Sequence, residues 1–343
     1  MFQAVFGAFS NEMAIDLGTA TTRIAVAGRD VSCCEASAVA IYQDRHGSRR
    51  ILAVGDDALE MLGRCPPDIQ IVHPIVDGVI SDFEIAEAML RQFMTRVQGR
   101  TLWVGPQVTV CVPYGTTDME RRAIRELAES SGARSVEMVE QPLAAASGAE
   151  LPIDDACGHM VVDIGAGSTE IAVTSLGGVV YSRALKIGGG HMDRAIIHHI
   201  RQSHRVLIGP RTAEELKVTL GAALPSRKQK RGRMTVKGRS LETGYPVSLD
   251  LTDEQVHAAL ARPVKMIIDA VRASLEHTPP DLAADISQTG IVLAGGGAQL
   301  SRFDRALSAS TGLPVIVPED PELVVVRGAL QATRLTEASA IAG

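Results

Sequence analysis

Apolar residues are spaced in two ways along this chain, and the two spacings predict different elements. Continuous apolar runs, typical of strands covered on both faces, lie at Val108–Val112, Met160–Asp163 and Gly290–Leu293. Apolar residues three and four positions apart, which share one face of a helix, mark six longer segments. These predicted helices are Asp82–Val97, Thr117–Ser130, Gly190–Ser203, Thr212–Leu220, Thr252–Leu275 and Ser301–Ser310. Strands mixed with helices in this way predict an α/β protein.

Two segments placed 147 residues apart resemble each other. The first, from Met13 to Ala27, reads MAIDLGTATTRIAVA, and the second, from Met160 to Thr174, reads MVVDIGAGSTEIAVT. Each contains a β-rich run, an Asp-x-Gly turn with hydroxyl side chains, and a second β-rich run, which is the pattern of a hairpin. The repeat predicts two domains of common architecture, since the periods of solenoid repeats are far shorter.

Both turns have the residue types of phosphate-binding loops. Glycine lets the backbone approach an oxyanion and leaves N–H groups pointing into the turn. Because carboxylates repel phosphate, Asp16 and Asp163 predict an intervening hydrated Mg²⁺, an ion that keeps several waters and is held by few carboxylates. Further hydroxyl donors are Thr19, Thr21, Thr22, Ser168 and Thr169.

A glycine-rich turn follows the last apolar run. Ile291–Ala294 leads into Gly295–Gly297 and then toward a helix. A strand, a glycine turn and a helix form a natural place for backbone to lie against a nucleotide. Alone, such a turn is as readily structural, and its order after the two loops is what favours a nucleotide.

Composition narrows the class of protein further. A chain of 343 residues with 45% hydrophobic residues suits two domains with sizeable cores. A net charge of −6 argues against nucleic acid as a partner. The five cysteines are odd in number and lack CxxC spacing, so we expect no disulfide framework, no zinc site and a reducing cytoplasm.

At this point the sequence resembles the actin/Hsp70/sugar-kinase superfamily, and within it the MreB/Mbl family of bacterial cell-shape actins. The resemblance spans about residues 11–335 and rests on an ordered series of motifs. They are DLGTATT (16–22), VDGVISDFEIAEAMLRQFM (76–94), VCVPYGTTDMERRAIRELAESSGAR (110–134), EQPLAAASGAELP (140–152), VVDIGAGSTEIAVTSLGG (161–178), GGGHMDRAI (188–196), IGPRTAEELK (208–217) and VLAGGGAQL (292–300).

The resemblance implies an actin-like fold, in which two related ribonuclease-H-like domains surround a nucleotide cleft and each carries a small inserted subdomain. An N-terminal amphipathic segment, residues 1–10, would precede them. The implied core of domain I is 11–31, 75–156 and 323–343, with the subdomain at 32–74. The implied core of domain II is 157–189 and 251–322, with the subdomain at 190–250.

Family roles transfer to matching positions. The first phosphate loop would be Asp16, Gly18, Thr19, Ala20, Thr21 and Thr22, and the second Asp163, Gly165, Ala166, Gly167, Ser168 and Thr169. Glu214 and Lys217 would contact the nucleoside, and Gly295, Gly296 and Gly297 would line the adenosine. The implied cofactors are ATP and Mg²⁺, with Asp16 and Asp163 reaching the metal through water. The implied catalytic residues are Gln141, Asp163 and Ser168.

Three positions depart from the family pattern. Gln141 replaces the family's second glutamate, which is expected to orient the attacking water. An amide can orient water but cannot take its proton as a carboxylate does, so any hydrolysis is expected to be slow. Ser168 keeps the hydroxyl of the usual threonine, and Thr22 stands in place of asparagine. The sequence leaves ATP turnover open.

The function implied by the resemblance is that of a cytoplasmic ATP-dependent polymer, peripheral on the inner face of the cell membrane. Its partners would be further copies of itself in double filaments, the inner membrane surface, and cell-wall synthesis and morphogenesis proteins. Phe2, Val5, Phe6 and Phe9 share one helical face and fit a short membrane-binding helix. A helix packed on its own domain, or a disordered tail, fits the same residues.

Other functions in the superfamily fit the chain less well. An Hsp70-type chaperone needs a substrate-binding β-domain after the nucleotide domain, and a sugar or acetate kinase needs a substrate pocket with a base. No segment is left over for either. An ATP-binding scaffold with little polymerisation or turnover remains the alternative that Gln141 keeps open.

Overall fold

The computed structural model describes residues 12–29, 31–44, 47–76, 78–98, 105–225 and 232–332. They form two compact units. The first contains the described residues up to Asp155, the short segment Leu176–Gly178 and the described residues from Leu323 onward. The second contains Ala156–Ser175 and the described part of Val179–Glu322. The first unit is therefore assembled from distant parts of the chain.

The first unit contains strands and helices that alternate after an initial meander. Its strands are β1 (Glu12–Leu17), β2 (Thr21–Val26), β3 (Val31–Ala36), β4 (Val39–Gln43), β5 (Arg49–Val54), β6 (Ile69–Val72), β7 (Ile75–Val76), β8 (Val79–Ile80), β9 (Gln107–Val112) and β10 (Ser135–Glu140). Its helices are α1 (Asp56–Glu60), α2 (Phe83–Gln98), α3 (Asp118–Ser130) and α4 (Gln141–Gly148), and residues 324–332 are also helical.

The second unit has a similar mixture. Its strands are β11 (His159–Ile164), β12 (Thr169–Ser175), β13 (Gly178–Leu185), β14 (Val206–Leu207), β15 (Arg233–Ser240), β16 (Pro246–Thr252), β17 (Ile291–Ala294) and β18 (Val315–Ile316). Its helices are α5 (Gly189–His204), α6 (Pro210–Leu220), α7 (Asp253–Glu276), α8 (Pro280–Thr289) and α9 (Phe303–Thr311), with a 3₁₀ turn at Gly296–Gln299.

The main sheets of the two units share one strand order. The first runs β3-β2-β1-β9-β10 and the second β13-β12-β11-β17-β18. In each, the repeat forms an antiparallel hairpin, and the first strand of the hairpin pairs on its other side with a parallel strand. Met13 pairs with Val26 in one hairpin, and Met160 pairs with Val173 in the other. The prediction of two domains with common architecture is confirmed.

Smaller three-stranded sheets accompany the main ones. Strands β5-β4-β6 form a sheet in the first unit, and β14-β15-β16 form one in the second. The predicted helices are confirmed to within two residues at each end, and capping explains several of the shifts. Thr117, for example, is the N-cap of α3 in a capping box with Glu120 rather than its first residue. Within the described part of the chain, no helix is long and apolar enough to cross a membrane.

Close backbone contact joins α4 to the helix at 324–332. A Cβ atom placed on Gly328 would overlap the carbonyl oxygen of Ala144 and lie 2.5 Å from the backbone nitrogen of Gly148. A Cβ atom on Gly148 would in turn overlap the carbonyl oxygen of Val324. The two helices therefore approach as closely as they do because glycine stands at both positions.

Candidate functional site

The first predicted loop connects β1 to β2. Asp16 pairs with Arg23 and Leu17 with Thr22, which leaves residues 18–21 as the turn. Ser37, just after β3, holds this turn: its hydroxyl donates to the carbonyl oxygen of Gly18 (2.6 Å) and lies 2.8 Å from the Thr22 hydroxyl. Thr22 is fully buried, so its hydroxyl stabilises the loop from within.

Ser37 was not among the sequence-predicted site residues. Its backbone N–H also donates to the carbonyl oxygen of Ala20 (2.8 Å), so it binds the loop at three points. An isolated serine beyond a β-strand carries no pattern in the sequence. Only the pairing of β2 with β3 brings it under the loop.

We expect Ser37→Ala to lower the free energy of unfolding of the first unit by about 1–3 kcal/mol, since it leaves the buried Thr22 hydroxyl and the Gly18 carbonyl without their partner. Urea denaturation followed by circular dichroism measures this change. The control is Ser48→Ala, which removes an exposed hydroxyl. Equal stability of the two variants would contradict the role of Ser37.

Asp16 lies almost fully buried at the end of β1. Burial raises the pKa of this carboxyl, while the positive charge of Arg23 and hydrogen bonds from Arg23 and Gln141 act in the opposite direction. The Arg23 Nη1 atom lies 3.4 Å from Asp16 Oδ2. The carboxylate is thus held by one cation and one amide beneath the loop.

Gln141 lies at the first position of α4, directly after β10. Glu140 is the N-cap residue and Pro142 occupies the first turn, where a missing N–H has no cost. The Gln141 side chain hydrogen-bonds to Asp16. The structure therefore brings together the predicted water-orienting residue and the carboxylate of the first loop.

The second predicted loop connects β11 to β12 in the same register. Asp163 pairs with Glu170 and Ile164 with Thr169, and the N–H of Gly165 donates to the carbonyl oxygen of Ser168 (2.9 Å). Thr169 is fully buried and donates to the carbonyl oxygen of Ile187 (2.7 Å). Thr169 has the same position in its hairpin as Thr22, and its buried hydroxyl likewise forms a hydrogen bond within the protein. Gly165, Ala166, Gly167 and Ser168 are partly exposed, as are Gly18, Thr19 and Thr21, and Ala20 is exposed.

Three glycines at the start of α5 pack against the second loop. The N–H groups of Gly189 and Gly190 donate to the carbonyl oxygens of Gly165 and Ala166, both at 2.9 Å. A Cβ atom on Gly188 would lie 2.7 Å from the Ala166 oxygen and overlap that of Gly165. These glycines were not predicted as site residues, although the GGG run itself was a visible signal.

The glycine turn after β17 packs on the second loop from another direction. Gly295 has a φ of +81°, and a Cβ atom there would overlap Asp163 Oδ1 and lie 2.5 Å from the carbonyl oxygen of Ile164. Gly297 would overlap the Ile164 side chain. Gly296 is exposed, with nothing within 4 Å of a Cβ atom. Two of the three glycines are therefore fixed by contact with the Asp163 hairpin.

Both residues that were predicted to contact the nucleoside lie on α6. Glu214 is exposed and Lys217 is partly buried. The Lys217 ammonium lies 2.8 Å from the Asp193 carboxylate and donates to the carbonyl oxygen of Gly189 (3.3 Å). Burial raises the pKa of Asp193, and the hydrogen bond and charge of Lys217 oppose that shift. Lys217 thus connects α6 to the glycines that support the second loop.

The aspartate of each loop fits a magnesium ion that is held through its waters. Each loop offers a single aspartate, and Mg²⁺ retains most of its waters when few carboxylates hold it. Among the described residues, no group of three or more His, Cys, Asp or Glu side chains is arranged to hold a metal directly. The predicted membrane residues Phe2, Val5, Phe6 and Phe9 lie outside the described residues.

The chain is similar to known proteins of one family along nearly its whole length. A model of the MreB/Mbl protein family matches residues 10–340. The cell shape-determining protein MreB of Escherichia coli (strain K12) is 47% identical over 339 residues, which cover 98% of this chain and 97% of that protein.

Solved structures share the fold. The crystal structure of MreB5 of Spiroplasma citri bound to AMPPNP has a TM-score of 0.91 and 33% identity, covering 97% of this chain and 99% of that chain. The crystal structure of the same protein bound to ADP has a TM-score of 0.90 and 32% identity, covering 97% of this chain and 99% of that chain. A MamK double helical filament, at 22% identity and a TM-score of 0.76 over 94% of this chain and 99% of that chain, agrees in fold. The predicted actin-like fold is confirmed, and the chain belongs to the MreB/Mbl family of bacterial actin-like proteins.

Proposed function

We propose that this chain binds Mg-ATP and polymerises into filaments that organise cell shape. The observation that carries the proposal is the doubled loop: each unit presents the same hairpin turn, with one aspartate at the end of the first strand and partly exposed glycine backbone beside it. Nucleotide occupies the MreB5 structures to which the chain is similar. The cell shape-determining role of MreB supports the biological part.

In this proposal the loop backbones bind the phosphates and the aspartates hold the metal. Glycine N–H groups and the side chains of Thr19, Thr21 and Ser168 donate to phosphate oxygens. Asp16 and Asp163 hold hydrated Mg²⁺ through its waters. When bound, the ion neutralises charge on the phosphates. Glu214, Lys217 and the exposed Gly296 would contact the nucleoside.

Gln141 would orient the water that attacks the terminal phosphate. Its amide is held beside the first loop by the hydrogen bond to Asp16. Because an amide accepts no proton, the proton of the attacking water would pass to another acceptor, and turnover would be slow. Asp163 and the Ser168 hydroxyl would complete the catalytic set.

The cellular part of the proposal comes from the family. Filaments would be double, cytoplasmic and peripheral on the inner face of the membrane, with Phe2, Val5, Phe6 and Phe9 as the membrane contact. Many weak contacts along one filament would add up to firm attachment. Cell-wall synthesis and morphogenesis proteins would be its partners. The sheets β5-β4-β6 and β14-β15-β16 would be the inserted subdomains, within 32–74 and 190–250.

High-speed pelleting with Mg-ATP, Mg-ADP or no nucleotide, followed by electron microscopy of the pellets, tests the proposal. Ordered filaments that require ATP are the expected result. Protein that binds nucleotide but stays in the supernatant, even with anionic liposomes, would overturn the polymer and leave an ATP-binding scaffold. Gln141 favours that second candidate, because an amide cannot accept the proton of the attacking water.

Gln141→Ala is expected to lower steady-state phosphate release at least tenfold while leaving ATP affinity within about threefold of wild type, because positioned water is lost but the phosphate contacts remain. Gln141→Glu is expected to release phosphate faster than wild type, since a carboxylate can accept the proton. A phosphate-release assay with saturating Mg-ATP measures both. Equal rates in all three proteins would remove Gln141 from the catalytic set.

A further inference from the structure

Arg23 is a largely buried cation beside the first loop that the proposed function has not used. It lies on β2 directly opposite Asp16, and its side chain is only 16% exposed. Burying an arginine so far is costly unless its donors are used. Its contact with Asp16 is a single one of 3.4 Å, from Nη1. Its Nε–H is buried and makes no hydrogen bond to any described residue.

The internal repeat shows that this cation is special to one loop. In the second hairpin the residue opposite Asp163 is Glu170, which is also buried. The first loop therefore pairs its aspartate with a positive charge, and the second pairs its aspartate with another acid. Two hairpins with the same register thus differ in the charge beside their aspartate.

The guanidinium also lies close behind the turn. A Cβ atom placed on Gly18 would be 3.9 Å from Arg23 Nη1. Gly18 is one of the glycines whose backbone would face phosphate, and it has no side chain to separate the two. A guanidinium has five donors in a planar fork that matches phosphate oxygens, and a single long contact to Asp16 leaves most of that capacity unused.

We propose that Arg23 is a phosphate-binding residue of the first loop, and that its fixed positive charge lets this chain hold the terminal phosphates of a nucleotide with less help from Mg²⁺. The inference rests on the proposed function and deepens it. With metal bound, Asp16 faces hydrated Mg²⁺ and Arg23 faces phosphate oxygens. Without metal, Arg23 remains as the counter-charge. A chain lacking this arginine would have no cation in the loop to replace the ion.

The test is the ratio of two dissociation constants for ATP, one measured with excess EDTA and one with excess MgCl₂, by isothermal titration calorimetry. For Arg23→Gln we expect this ratio to exceed that of the wild type by about tenfold, the size of one charge-assisted hydrogen bond. Arg91→Gln is the control. It removes an arginine from an exposed ion pair with Glu87 on α2, in the same unit, and should leave the ratio unchanged.

A purely structural arginine would give a different result. Its loss would weaken ATP binding equally with and without Mg²⁺, so an unchanged ratio in a folded Arg23→Gln protein overturns the inference. If that variant fails to unfold cooperatively, Arg23→Lys decides. Lysine keeps the charge but not the fork, and we expect the ratio to rise about threefold, whereas no rise refutes phosphate contact. Absence of ATP binding by the wild type in MgCl₂ would refute the proposed function itself.

Discussion

Gly295→Ala is expected to weaken Mg-ATP binding by at least a factor of ten and to lower the unfolding temperature of the second unit. Two effects add at this position. Alanine is strained at a φ of +81°, and its Cβ would overlap Asp163 Oδ1 while lying 2.5 Å from the Ile164 carbonyl oxygen. The Ile164 backbone and the Asp163 side chain, which would hold the metal waters, must therefore shift. Calorimetric titration with ATP and a thermal melt measure the two effects.

The neighbouring glycine provides the control for this prediction. Gly296 is exposed and has nothing within 4 Å of an added Cβ, so Gly296→Ala should melt within about 2 °C of wild type. Any loss of ATP affinity in that variant would come from contact with the nucleotide itself. If Gly295→Ala binds ATP as tightly as the wild type does, Asp163 does not depend on the turn after β17.

Gly328→Leu is expected to lower the free energy of unfolding of the first unit by about 3 kcal/mol or more. Even a Cβ atom at this position would overlap the Ala144 carbonyl oxygen and lie 2.5 Å from the Gly148 nitrogen. These are backbone atoms of α4, which cannot move aside as a flexible side chain can. Adding atoms to a well-packed site typically lowers the free energy of unfolding by about 1–3 kcal/mol. A helix contact made by two glycines leaves no space for added atoms, so the larger end of that range or more is expected.

Chemical denaturation of the purified variant measures the loss, and Gly209→Leu is its control, since nothing lies within 4 Å of a Cβ at Gly209. Because Gln141 begins α4, phosphate release should fall together with stability in Gly328→Leu. A variant that is as stable as wild type would show that the helix at 324–332 can separate from α4 without loss.

Much of the fold could be predicted from the sequence because the internal repeat and the spacing of apolar residues indicated the same elements. The repeat around Asp16 and Asp163 predicted both hairpins, because each copy places an Asp-x-Gly turn between two β-rich runs. Helices α2, α3 and α7 were predictable from their long apolar faces. The helices not predicted are α1, α4, α8 and the one at 324–332. Helices α1 and α4 were missed because five and eight residues give too little periodicity, and α8 buries only Ile286 among its ten residues.

The candidate site was predictable where a motif carried it and not where only folding did. Loop residues such as Gly18 and Gly165 were found by pattern. Ser37 was missed because its partners lie across a strand pairing. The sequence also could not show that Thr22 and Thr169 differ from the other hydroxyl residues of the loops. Their hydroxyl groups form hydrogen bonds within the protein that hold each loop in place. Similarity to a family motif identifies the residues of a loop, whereas the hydrogen bonds of the structure show which of their side chains support it.

The divided first unit has a consequence for how the protein is made. Its helix at 324–332 contacts α4 through paired glycines, yet more than 150 residues of chain separate the two. Because a ribosome adds residues in order, the α4 surface around Gly148 stays uncovered until the helix at 324–332 has been synthesised. The second unit, nearly continuous in sequence, can complete its core first. A chain truncated before residue 323 and released from the ribosome should therefore protect the second unit from protease while α4 remains cleavable.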